Sequence, residues 1–331
     1  MARYRDALPQ LGDGLFLTDG GIETSMIALE RLNLPDFAVF PLLARPEGVV
    51  ALRRYFCSYA EIARRHGAGV VLESATWRAS ADWGARLGFA SAALAGANRE
   101  AISLLEGVRD EFESVATKIV ISGCIGPRRD GHDPAEAVSE DEAEAYHAEQ
   151  IATFAGTAAD MVAALTLTNA EEAVGIARAA EQAAMPVAIS FTVETDGQLA
   201  SGQTLRQAIG EVDDATSAYP CYFMVNCAHP SHFAPVLGGG EPWVTRFRGL
   251  RANASRLSHA ELDELPEPDA GDLEELGREY AKLKSRLPQL NVFGGCCGTD
   301  HRHLEHIAAA CAPLFRAAGS GVRATCGEGA A

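Results

Sequence analysis

Short apolar runs, each ending in a polar residue or glycine, recur along this chain. They are Leu15-Phe16-Leu17-Thr18-Asp19-Gly20-Gly21, Val70-Val71-Leu72-Glu73-Ser74, Ile119-Val120-Ile121-Ser122-Gly123, Met161-Val162-Ala163-Ala164-Leu165-Thr166, Val187-Ala188-Ile189-Ser190-Phe191-Thr192, Tyr222-Phe223-Met224-Val225-Asn226, Leu250-Arg251-Ala252-Asn253 and Val292-Phe293-Gly294-Gly295. Ala/Glu/Arg-rich segments with helical periodicity lie between them, among them 140–157 and 171–184. Apolar strands alternating with helices imply a parallel sheet, and eight such units in a chain of this size predict a single-domain α/β fold, a closed (β/α)8 barrel. No Gly-x-Gly-x-x-Gly turn opens a helix after the first run, so an open dinucleotide-binding sheet lacks its phosphate loop. The barrel is expected over residues 1–316 and a disordered Gly/Ala-rich tail over 317–331. The acidic, proline-containing stretch 258–272 reads as a solvated excursion after the seventh run, with a lid over the barrel mouth as the alternative.

Composition narrows the function without naming it. The chain has 331 residues, 47% hydrophobic, enough for a large core. Its formal net charge of -17, with no Lys/Arg cluster, excludes a phosphate-neutralising nucleic-acid binder and leaves small molecules as partners, with a homo-oligomer open. The N-terminus has no apolar segment behind its charges and no stretch approaches a membrane span, so a soluble, cytoplasmic protein is expected.

The candidate chemistry lies in the cysteines. Gly294-Gly295-Cys296-Cys297-Gly298-Thr299 follows the last run, and Cys227 follows Asn226 at the end of the sixth. Strand ends on one side of a sheet are neighbours in space, so three thiolates can meet there. Three thiolates suit Zn2+ and leave its fourth position for water or substrate. Cys57, Cys221 and Cys311 read as buried small hydrophobes, Cys326 has no evident partner, and Cys124 lies near a strand end. His229 and His232 follow Cys227, and His301, His303 and His306 follow Cys297. They are alternative ligands, although each sits where a helix begins. His229 is better suited to touching substrate, and Asn226 to supporting the site by hydrogen bonding. Arg78 and Arg251 are candidates for a substrate carboxylate.

Asp19-Gly20-Gly21 with Thr24, Asn226-Cys227 and Gly294-Gly295-Cys296-Cys297-Gly298 together resemble the homocysteine S-methyltransferase family, which includes betaine- and S-methylmethionine-dependent enzymes. Lesser matches at 76–80, Gly126-Pro127, 190–192 and Ser201-Gly202 extend the resemblance over almost the whole chain. It implies a (β/α)8 barrel with zinc held by Cys227, Cys296 and Cys297, and a place in methionine formation. It also implies that the carboxylate and backbone of Asp19, Gly20 and Gly21 help bind an amino-acid substrate. One departure stands out: where the family carries a Glu-Thr pair whose glutamate meets the substrate's amino group, this chain has Leu165-Thr166. Glu23, Glu73 and Glu194 are the acids near enough in the pattern to replace it.

The resulting expectation is a zinc-dependent S-methyltransferase that moves a methyl group from a small sulfonium or quaternary ammonium donor to homocysteine or a related thiol. Homocysteine should be a poor acceptor unless Glu23 or Glu194 pairs with its ammonium. Thr76 and Trp77 join Asp19, Gly20, Gly21, Glu23, Glu194 and Asn226 as candidate substrate contacts. Trp77 offers an aromatic face for a cationic donor, and Trp83 and Trp243 carry less positional information. Cobalamin or folate dependence has no room for its extra domains. The alternatives are a zinc hydrolase, which three charge-donating thiolates disfavour, and a non-catalytic zinc-dependent binding protein on the same barrel.

Overall fold

The computed structural model describes residues 1–129, 138–238, 240–265 and 267–319. Eight parallel strands close into a barrel in sequence order: β1 (Phe16–Leu17), β2 (Gly69–Glu73), β3 (Ile119–Ile125), β4 (Met161–Leu167), β5 (Val187–Phe191), β6 (Tyr222–Asn226), β7 (Phe247–Ala252) and β8 (Val292–Gly295). The first strand closes the ring, pairing Phe16 with both Gly69 and Val292. The helices are α1 (Ile22–Thr24), α2 (Pro46–His66), α3 (Ala81–Arg86), α4 (Ser91–Phe112), α5 (Glu140–Ala155), α6 (Ala170–Gln182), α7 (Leu205–Thr216), α8 (Pro230–Phe233), α9 (His259–Asp263), α10 (Leu273–Arg286) and α11 (His301–Gly319). The (β/α)8 barrel expectation holds, with an irregularity after β6, where the described residues form only the four-residue α8 and a 3-10 turn at Pro242–Arg246 before β7. The α11 helix enters the expected tail as far as Gly319, and residues 320–331, with Cys326, lie outside the described residues.

Side-chain period two divides each strand between two cores. One face packs against the helices. The other fills the barrel axis with Phe16, Val71, Val120, Met161, Ala163, Ala188, Tyr222, Met224 and Val292, closed from below by Leu8 of the N-terminal segment. Strands buried on both faces explain the nearly continuous apolar runs. Carrying the alternation upward brings Glu73, Cys124, Leu165, Ser190, Asn226 and Arg251 to the C-terminal ends, because Asn226 lies in register with Arg251 and Met224 with Gly249. Helix caps fix several returns. Ser139 and Glu142 form a reciprocal box at the start of α5, and Thr204 with Gln207 does the same for α7. Within 258–272, the described residues include the capped helix α9 and Asp272, the N-cap of α10.

Candidate metal and substrate site

Three sulfurs meet at the barrel mouth. Cys227 follows β6, and Cys296 and Cys297 follow β8, with their Sγ atoms all within 4.8 Å of one another; among the described residues this is the one group of three metal-capable side chains. The Sγ atoms of Cys227 and Cys297 are 3.5 Å apart. A tetrahedral ion with zinc–sulfur bonds of about 2.3 Å separates its sulfurs by about 3.8 Å, so the donor set and its spacing fit such an ion with one corner left open. Cys227 is buried, Cys296 half-buried and Cys297 exposed, so the open side faces the mouth. Hydrogen bonds from the Cys227 and Cys297 thiols hold Cys296 well below the ordinary thiol pKa, helped by the Arg251 charge, while Cys227 and Cys297 are raised in turn.

Neighbouring strands hold the sulfurs in place. Cys227 has a left-handed φ of 58°, unusual for a residue with a Cβ, and its N–H donates to Arg251 O (3.1 Å) while its carbonyl accepts from Asn253 Nδ2 (2.9 Å). The extension of β7 also takes the Cys296 N–H at Ala252 O and gives the Ala254 N–H to Cys297 O. Asn226 ties the other side together. Its Oδ1 accepts from Thr166 N–H (2.8 Å) and Ser190 Oγ (2.7 Å), and its Nδ2 donates to Thr166 Oγ1 (2.8 Å) and approaches Cys296 Sγ at 3.8 Å. Thr166 is itself left-handed, with φ 66°, and this clasp holds it there.

Asp19 lies 2% exposed beside the sulfurs, with Oδ1 2.8 Å from Arg251 Nη2 and Oδ2 accepting from Tyr55 OH (3.0 Å). Burial raises its pKa, and Arg251 and Tyr55 pull it back. Gly21 gives its N–H to Thr299, both O and Oγ1 at 3.1 Å. A Cβ on Gly21 would stand 2.5 Å from Cys296 O, and one on Gly20 2.7 Å from Tyr59 OH. The glycine pair therefore lets the first loop lie directly on the cysteine turn. Glu23, half-buried in α1, is pushed up to about 7 by desolvation first and by the negative Cys296 and Asp19 after it.

The remaining candidates separate. Thr76 is fully buried and donates to Cys124 O (2.8 Å), which joins β2 to β3. Trp77 is half-buried at the mouth, its Nε1 donating to Leu165 O (3.2 Å) and the Arg78 guanidinium 5.0 Å from its ring. Trp83 is packed between Arg78 and Arg86. Glu194 is half-buried in the turn closed by Gly197 N–H to Glu194 O. Leu165 packs in the barrel interior with Cys124 and Trp77. Among the described residues, no histidine joins the sulfurs in a metal-capable group. His229 caps α8, accepting the Ser231 N–H at Nδ1, and burial drops its pKa to about 4, so it is neutral. His232 faces Arg256 O, and His303 bonds to Asp300 and Ala270 O. Cys311 is buried as expected, whereas Cys57 and Cys221 are only half-buried. Sequence reasoning missed Tyr55 and Tyr59, whose four-residue spacing on α2 is the pattern that puts both hydroxyls on one helix face beside the first loop.

The profile of the family described as homocysteine S-methyltransferase matches residues 16–311. Among solved structures, the homocysteine methyltransferase MmuM from Escherichia coli superposes in its oxidized form with a TM-score of 0.73 at 18% identity, covering 93% of this chain and 99% of that one. Its metallated form gives 0.70 at 17% identity over 92% and 98%, and its apo form 0.64 at 18% over the same shares. At such identities the superpositions speak for the shared fold.

Proposed function

The chain belongs to the homocysteine S-methyltransferase family, and on that premise we propose that it moves a methyl group from a small sulfonium or quaternary ammonium donor to a homocysteine-type thiol, with zinc held by Cys227, Cys296 and Cys297. The observation that carries this reading is the convergence of three sulfurs, open on one side, at the C-terminal ends of the barrel strands, where this fold places its chemistry. Zinc bound there would keep an acceptor thiol deprotonated at neutral pH, where a free thiol of pKa about 8.5 is mostly protonated.

The chain's own residues supply the rest. Asn226 and the β7 extension hold the sulfurs from both sides, so the acceptor meets a preorganised cluster. Asp19, braced by Tyr55 and Arg251, presents a fixed charge beside them. The half-buried Trp77 ring offers a face for a cationic donor, which must lie in line with the acceptor sulfur for the methyl group to pass. Transfer from such a donor leaves a neutral product, so no general acid is needed for the leaving group. The test is incubation of zinc-loaded protein with homocysteine and either S-methylmethionine or betaine, reading methylated thiol by mass. Methionine is the expected product. No methylated product from any thiol and donor pair would sink the reading, and hydrolysis of the donor instead would favour a zinc hydrolase.

A further inference from the structure

The ring of side chains at the strand ends carries its charge on one arc. Asp19 beyond β1, Glu73 on β2 and Arg251 on β7 are 2%, 3% and 5% exposed, whereas Cys124 on β3 and Leu165 on β4 make the facing arc apolar. Arg251 reaches both acids, with Nη2 2.8 Å from Asp19 Oδ1 and Nη1 3.9 Å from Glu73 Oε1. One guanidinium thus answers two carboxylates. Asp19 is closely held, with Oδ1 ion-paired to Arg251 at 2.8 Å, though outside hydrogen-bond geometry, and Oδ2 accepting from Tyr55. Glu73 is not: its Oε2 is buried and has no hydrogen-bond partner within the protein. Beside it in register, the buried Ser122 hydroxyl lies near enough to favour the charged form of Glu73, although the two make no close hydrogen bond.

An orphaned carboxylate oxygen under an excess of negative charge calls for a donor that is also a cation. An ammonium group answers both needs, because it brings three N–H donors and one positive charge. The other acids are placed less well. Glu23 lies on α1 among the groups around the cysteines, and Glu194 lies in a half-exposed turn after β5. Burial pushes the Glu73 carboxyl up to about 7, and Arg251 offsets only part of that cost.

We propose that Glu73, braced by Arg251 and flanked by Ser122, receives the ammonium group of an amino-thiol acceptor. This rests on the methyl-transfer reading and names the residue that replaces a carboxylate at position 165. The acceptor then lies with its charged end toward β1, β2 and β7 and its methylenes toward Leu165 and Cys124.

Calorimetric titration of zinc-loaded protein with L-homocysteine, 3-mercaptopropylamine and 4-mercaptobutyrate tests it. The first two carry an ammonium and the third does not. Wild type should bind the two amines more tightly. Glu73→Gln should weaken both by about tenfold to a hundredfold, the loss of one charged hydrogen-bond partner, and change 4-mercaptobutyrate by less than about twofold. Glu73→Asp should fall between. Should Glu73→Gln fail to fold, Ser122→Ala carries the same comparison, with a severalfold loss confined to the amines. Equal losses on all three thiols, or no loss on the amines, would overturn the assignment. Wild-type protein that binds none of the three would instead overturn the methyl-transfer reading, and this inference with it.

Discussion

At the scale of single residues, the thiols and the buried acids do different work. Each of Cys227, Cys296 and Cys297 supplies one corner of the cluster, so replacing any one by serine should drop zinc content from about one per chain toward zero. Metal analysis of the three variants checks this, and full retention in one would remove that residue from the site. Glu73 makes a prediction about pH. Burial raises its pKa from 4.5 to about 7, so between those values the folded chain binds more protons than the unfolded one. Stability contributed by this group therefore falls as pH rises through that window, and the cost is complete above it. A displacement of that size is worth on the order of 3 kcal/mol. Glu73→Gln should accordingly be more stable than wild type at pH 8 and about equal to it below pH 4.5. Urea unfolding at both ends of the range, in the same metal state, would expose the error if the difference between the two proteins did not change with pH. A carboxylate that destabilises the free protein and is relieved by a bound cation is the pattern expected of a binding residue.

At the scale of elements, the site depends on strand ends being clasped to one another. Asn226 at the end of β6 holds β4 through Thr166, holds β5 through Ser190 and reaches the sulfur of Cys296 beyond β8. Asn226→Ala would leave the buried Thr166 N–H without its partner and the left-handed turn without its clasp, at a cost of about 1–3 kcal/mol for the orphaned amide. It should also weaken zinc binding, because Cys296 loses a contact and the β4 end is released. A variant with wild-type unfolding midpoint and wild-type zinc affinity would show that the clasp does not matter. The runs at residues 187–192 and 222–226 were legible as strands from their apolar continuity. The clasp was not, since asparagine, threonine and serine in separate runs carry no mark of their pairing.

The whole molecule separates stability from chemistry along the barrel axis. The mouth carries the thiols and buried charges, while the opposite end is sealed by the N-terminal segment. There Asp160, fully buried, accepts from the backbone N–H groups of Arg3 (2.6 Å), Tyr4 (2.8 Å) and Ile121 (2.9 Å) and pairs with the buried Arg109 (2.9 Å). Arg109→Met would strand that carboxylate without its countercharge and should destabilise the fold by about 3–5 kcal/mol. Zinc content of the protein that remains folded should be unchanged, because the site is at the other end of the strands. Unfolding curves paired with metal analysis check both halves, and loss of zinc without loss of stability would contradict the division. Among the described residues no helix is long and apolar enough to cross a membrane.

The sequence by itself determined the barrel and its thiol site. Apolar runs that can be buried on both faces alternate with amphipathic helices, and chain direction alone sends every strand end, with Asp19, Cys227 and Cys296, to one mouth. The Leu165 departure was equally plain in the sequence. Only the tertiary structure shows which buried acids lie at the mouth and which of their oxygens are left without a hydrogen-bond partner. That Arg251 bridges to Asp19 and Glu73, that the Gly21 amide is given to Thr299, and that His229 caps a helix all depend on contacts between side chains or loops brought together by folding. The left-handed turns at Thr166 and Cys227 depend on it too. Periodicity records which face of an element is buried; it does not record which polar atom across the barrel is left without a partner.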